Sequence, residues 1–162
     1  MKIFQNLLLS LFIVLFFQTI SHAQNSQSTD VLYRTLIASV ENADFALMAS
    51  AYHPDAVLVS PLKTTPIQLA LIRWEKEGLA HKEKGGTATL NFRFAKRTIN
   101  TVASFEVGVY RYSTIDKSGK ETVYFAHFED LHVKKDNKWL TIMENQTKKA
   151  TIEEWNNLPN WH

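Results

Sequence analysis

The chain has 162 residues, with 18 Lys and Arg against 16 Asp and Glu, and no Cys. Its length fits one domain, and 45% hydrophobic with 12% aromatic residues suffice for a packed core rather than wholesale disorder. A formal charge of +2 gives no basic footprint for nucleic acid, and the lack of Cys excludes disulfides, thiolate metal sites and a Cys nucleophile.

The N-terminus reads as a targeting segment. Lys2 provides a positive start, and Leu7 to Phe17 is apolar apart from Ser10. Ser21-His22-Ala23 then places small residues at the −3 and −1 positions of a cleavage site. This pattern predicts a signal peptide over 1–23, with a single domain over 24–162. The apolar run is far shorter than the about 20 residues of a spanning helix, and no later run approaches that length. The expectation is export to a bacterial periplasm or exterior, with no membrane association after cleavage. A chain without Cys in that compartment must hold itself together by packing.

Gln24 to Thr29 is polar and reads as a frayed lead-in. From Asp30, Leu32, Leu36, Val40, Ala43 and Leu47 recur at four- and three-residue spacing, which predicts an amphipathic helix. Asn42 or Asp44 can cap a second short helix running to about Tyr52. There, His53 before Pro54 would complement the helix dipole. Ala56 to Val59 reads as a strand. Thr65-Pro66-Ile67-Gln68 has the form of a capping box, opening a helix with Ile67, Leu71 and Trp74 on one stripe.

After Gly86 the period changes to alternation. Strands are predicted over 87–96, 102–115, 123–134 and 139–147, with turns at 116–120 and 135–138. Thr151 to Glu154 is a second capping box, opening a short helix around Trp155. Helices followed by a meander of long antiparallel strands define an α+β domain. Four long twisted strands curl, and the leading helices can cover the concave face. The expected architecture is therefore a cone: a curved antiparallel sheet covered by N-terminal helices.

Polar chemistry concentrates in His127-Phe128-Glu129-Asp130-Leu131-His132. Alternation puts Ala126, Phe128, Asp130 and His132 on one face, and Phe125, His127, Glu129 and Leu131 on the other. Each face carries one His two residues from one acid. A carboxyl in an apolar cavity has its pKa raised by desolvation, which suits proton transfer next to a carbonyl. Asp130 with His132 is the candidate catalytic pair, and His127 with Glu129 the alternative ligand-facing pair. Either face could be the inward one. Tyr52, Trp74, Tyr110 and Phe128 are candidates for core or pocket lining, and Tyr110 shares a face with Glu106, Gly108 and Tyr112.

No metal site is expected, because His127 and His132 point to opposite faces and no other His lies close by in sequence. No Gly-rich phosphate loop or nucleophile elbow is present, and no cofactor is expected. Asn145-Gln146-Thr147 matches a glycosylation sequon, read as chance in a bacterial chain. Lys82, Lys84, Lys96, Arg97, Lys134, Lys135 and Lys138 read as solvated faces and turn charges.

Three stretches together resemble the nuclear transport factor 2-like superfamily, which includes the SnoaL-like cyclases and small secreted domains of unassigned function. They are ADFALMASAYHPDAVLVSP from Ala43 to Pro61, the strand Ser104 to Tyr110 with Gly108, and DLHVKKDNKWLTIME from Asp130 to Glu144. The resemblance implies a cone with a pocket inside it. It also implies that Asp130 is the position where SnoaL-like cyclases carry a proton-moving Asp, and that a homodimer can form. Three functions follow as expectations. The first is binding of a small apolar or carbonyl-containing ligand. The second is a cofactor-free isomerase, cyclase or dehydratase with Asp130 as base. The third is an association module without ligand, which a filled cone would favour.

Overall fold

The computed structural model describes residues 28–161. The signal peptide expected over 1–23 lies outside the described residues. Two helices lead, α1 (Asp30–Asn42) and α2 (Phe45–Ala49), followed by β1 (Tyr52–Val59) and β2 (Thr64–Pro66). Helix α3 (Ile67–Glu83) precedes the four long strands β3 (Thr87–Ile99), β4 (Ala103–Ile115), β5 (Glu121–Lys135) and β6 (Lys138–Lys149), and α4 (Ile152–Asn156) closes the chain.

The strands form one curved, unclosed sheet in the order β2-β1-β6-β5-β4-β3. The meander from β3 to β6 is antiparallel throughout, as expected. The sheet as a whole is not, because β1 joins β6 in parallel and carries β2 on its outer edge. Alternation finds long strands, whereas the neighbour of a short strand is decided by tertiary packing. The β5–β6 turn holds Asp136 at φ 50° and Asn137 at φ 60°, the left-handed pair that a two-residue hairpin requires.

Several local expectations are corrected. The helix expected to run to Tyr52 stops at Ala49, and Tyr52 opens β1 instead. His53 therefore caps no helix; its ring Nδ1 accepts from the Asp55 amide at 3.1 Å. Pro54 lies where the β1–β6 pairing is interrupted between Tyr52 and Val57, so its missing amide costs no ladder bond. The Thr65–Gln68 capping box does not form. Strand pairing takes Thr65 opposite Leu58, Pro66 becomes the N-cap, and the Gln68 amide donates to the Pro54 carbonyl. The Thr151–Glu154 box does form, with both of its bonds present. Asp44 caps α2, accepting from the Leu47 amide at 2.9 Å.

The core fills the space between the helices and the concave face. Leu32, Tyr33 and Leu36 of α1, Met48 of α2 and Ile67 of α3 pack with Tyr52, Leu58, Phe92, Phe94 and Phe128. On α1 the expected Leu32 and Leu36 are buried, with Tyr33 and Ser39 buried beside them, whereas Leu47, which falls on α2, is exposed. Phe128 approaches the sheet over Gly108, where a Cβ would lie 2.1 Å from the Arg93 carbonyl oxygen and 2.8 Å from the Phe128 ring. Only glycine permits that approach. On the outer face, α4 sets Trp155 against Phe125 and under the Arg93 guanidinium.

Candidate functional site

The cone is not filled. A cavity of about 540 Å³ lies between the concave face and the helices. That volume is within the range of small-molecule sites. Aromatic rings dominate its wall: Tyr52 and Trp74 stand 6.5 Å apart, Phe92 and Phe128 5.6 Å, and Tyr110 and Tyr124 6.1 Å. Asp130, Thr141, Glu144 and Gln146 supply polar groups from β5 and β6. Exposed Glu41, Glu77 and Lys82 stand at the mouth.

The inward face of β5 carries Ala126, Phe128, Asp130 and His132, all buried. His127 and Glu129 occupy the outward face and do not line the cavity, contrary to their expected role as a ligand-facing pair. His127 instead lies 3.1 Å from Glu154 of α4, and Glu129 accepts from Asn145 at 3.2 Å. The reason lies in what covers each face: the larger helices sit on the Phe128 side, leaving the other to α4 and solvent. Tyr52, Trp74, Tyr110 and Phe128 all line the cavity.

Three carboxyl groups stand in a row across the sheet, because Glu106 pairs with Asp130 in the β4–β5 register and Asp130 with Glu144 in the β5–β6 register. Their surroundings differ. Glu106 is fully buried and satisfied: Arg97 Nε donates to it at 2.5 Å, Ser104 at 2.5 Å, and Thr29 also donates. Arg97 reaches on to Asp30 at 2.7 Å and lies over the Phe94 ring at 4.3 Å. It is thus a half-buried cation held by two acids, not the solvated charge expected from sequence, and Thr29 is buried rather than frayed. Glu144 accepts from the Tyr52 hydroxyl at 2.6 Å and from Gln146 at 2.8 Å.

Asp130 is the least satisfied of the three. Its Oδ2 accepts from the Tyr33 hydroxyl at a long 3.4 Å, and its buried Oδ1 has no partner. Burial, with repulsion from Glu144 and Glu106, pushes the Asp130 carboxyl well above the usual range. Burial also raises Glu144. Like charges placed opposite one another in a sheet disfavour double ionisation.

His132 adjoins Asp130 but does not line the cavity. Its Nε2 lies 3.0 Å from the Tyr33 hydroxyl and its Nδ1 3.1 Å from Thr141 Oγ1, so both ring nitrogens are occupied. Burial, helped by Arg97, depresses its pKa to about 3. A neutral His in the folded chain that charges on unfolding contributes stability above about pH 6.5 and loses it as pH falls toward its folded value. At about 1.4 kcal/mol per pH unit, that is about 3 kcal/mol between pH 6.5 and pH 4. Urea unfolding of the wild type and His132→Gln across this interval is expected to give the variant the flatter acid limb; parallel profiles would contradict it.

The sides on which Glu144, Gln146 and Arg97 stand are set by β-bulges. The β5–β6 register slips between Leu131 and His132, so that Thr141 and Glu144 face the same side. The β3–β4 register slips between Phe94 and Lys96, which brings Arg97 opposite Glu106. A bulge adds one residue to one strand and inverts the parity beyond it. Tyr33 carried a signal: Thr29, Tyr33, Leu36 and Val40 follow helical spacing beside the chosen stripe.

No family model matches the sequence, and no curated protein matches it. Solved structures do. A conserved protein from Planctomyces limnophilus superposes with a TM-score of 0.64 at 10% identity, over 80% of this chain and 99% of that one. A nuclear transport factor 2-like superfamily protein from Salmonella enterica gives 0.54 at 13% identity, over 78% and 99%. A ketosteroid isomerase-like protein from Erwinia carotovora atroseptica gives 0.54 at 15% identity, over 78% and 98%. Together with the curved six-stranded sheet, its covering helices and the cavity between them, these likenesses establish that the chain has the nuclear transport factor 2-like fold.

Proposed function

We propose that this is an exported protein that binds a small, mostly apolar molecule inside the cone. The observation that carries the reading is the open, aromatic-walled cavity of about 540 Å³, with Asp130, whose Oδ1 has no partner, among its lining residues. A domain this size gains stability by filling its core. An unfilled space with a buried acceptor is a cost that binding can offset. The unfilled cone also argues against a ligand-free association module.

Binding is favoured over turnover by the placement of His132. Expected as the partner of a catalytic Asp130, His132 stands behind the cavity wall with both ring nitrogens engaged. Among the described residues the second carboxyl beside Asp130 in the cavity wall is Glu144, and it is itself held by Tyr52 and Gln146.

The test is titration with a neutral aromatic dye, N-phenyl-1-naphthylamine, whose emission rises in apolar surroundings. The wild type is expected to bind it with saturable one-to-one stoichiometry. Ala88→Trp, which places an indole on the β3 wall, is expected to lose that binding while keeping a cooperative thermal transition. Failure of the wild type to bind, or equal binding by the variant, would overturn the reading.

A further inference from the structure

We propose that the molecule held in the cone is an organic amine, its ammonium group lodged between Asp130 and Glu144 and its apolar body against the aromatic wall. This rests on the cavity being a binding site and specifies the chemistry it selects.

The row of three carboxyls supplies the argument. Glu106 shows how this fold satisfies a buried acid: a guanidinium and two hydroxyls converge on it. Asp130 and Glu144 stand directly opposite each other on neighbouring strands, and neither contacts a cationic side chain among the described residues. Arg97, the nearest in kind, is committed to Glu106 and Asp30. Asp130 is only 5% exposed and its Oδ1 lacks any donor. Two adjacent acids, Asp130 buried and Glu144 half-buried, without a positive partner are costly unless something else brings the charge.

The rest of the cavity fits that partner. The donors near Glu144, the Tyr52 hydroxyl and the Gln146 amide, already point at Glu144, so acceptors outnumber free donors on this part of the wall. A carboxylate ligand would face two acids. An ammonium has three donors to distribute between them. The rings of Tyr52, Trp74, Phe92, Tyr110 and Phe128 offer π-faces that attract a cation and cover an apolar body. At the mouth, Glu41 and Glu77 outweigh Lys82, whose Nζ donates to the Asn42 carbonyl at 3.0 Å. That balance draws cations inward.

Three probes with one shared apolar body separate the possibilities: 2-(2-naphthyl)ethylamine, 2-(2-naphthyl)ethanol and 2-naphthylacetate, each titrated calorimetrically at neutral pH. The amine is expected to bind at least about tenfold more tightly than the alcohol, and the carboxylate more weakly than both. Glu144→Gln and Asp130→Asn are each expected to shrink the ratio of amine to alcohol affinity by about fivefold or more, with circular dichroism confirming the fold. An alcohol or carboxylate that binds as tightly as the amine would overturn the inference while leaving the cavity a binding site. A ratio unchanged in both variants would do the same. Failure of all three probes to bind would overturn the binding reading itself and the inference with it.

Discussion

Arg97→Ala is expected to destabilise the fold by about 2–4 kcal/mol, below the usual cost for a wholly buried ion pair because Arg97 keeps some exposure while Glu106 has none. The substitution would strand Glu106, which has no exposure at all, and would also release Asp30 and uncover the Phe94 ring. The loss comes from the uncompensated carboxylate rather than from any large net gain of the pair. Replacing both members by apolar residues of similar size, Arg97→Met with Glu106→Leu, is therefore expected to recover most of the stability. Urea unfolding of the three proteins at neutral pH measures both numbers. A single-variant loss below about 1 kcal/mol would show that water reaches Glu106 and that the row of acids is not dry.

Asp130→Asn is expected to act in the opposite direction. The Asp130 carboxyl is pushed up by burial and by its two neighbouring acids, so the folded chain holds a proton that the unfolded chain releases. Its contribution is fully present below the unfolded value of about 3.9 and is lost as pH rises through the raised folded value. The wild type thus carries a growing penalty on the alkaline side that the neutral amide does not. The variant should be the more stable protein at pH 8, by about 1–3 kcal/mol, with the difference closing toward pH 4. A variant less stable than the wild type at pH 8 would mean that Asp130 is ionised and well solvated, removing the reason to assign it a ligand. A buried group that lowers stability yet lines a cavity is the pattern of a site kept for function.

Much of the architecture was legible because it is written in periodicity. The four long strands, their hairpins and the C-terminal capping box follow from alternation and turn chemistry, and each depends on near neighbours in sequence. Thr65 failed as a cap because its backbone was claimed by Leu58 of β1, a partner no local pattern reveals. The inward face of β5 was one of two options, and the choice depended on which side the large helices cover. Glu144 and Arg97 lay beyond reach for a different reason: each follows a bulge that inverts the alternation along its strand. Thr29 looked frayed because a polar run ordinarily is, yet Glu106 and Arg97 bury it through bonds to a distant strand. Alternation placed Asp130 and Glu106 within the row, and the bulge in β6 is what aims Glu144 into it.

The central claim is that the cone holds its ligand on the inward face of the sheet, beneath α3. The indole N–H resonances of the tryptophans report on that location directly. Trp74 lines the cavity, whereas Trp155 lies on the outer face against Phe125. Adding 2-(2-naphthyl)ethylamine to nitrogen-15-labelled protein should move the Trp74 indole resonance in a saturable way and leave that of Trp155 in place. A stationary Trp74, or movement confined to Trp155, would contradict the account.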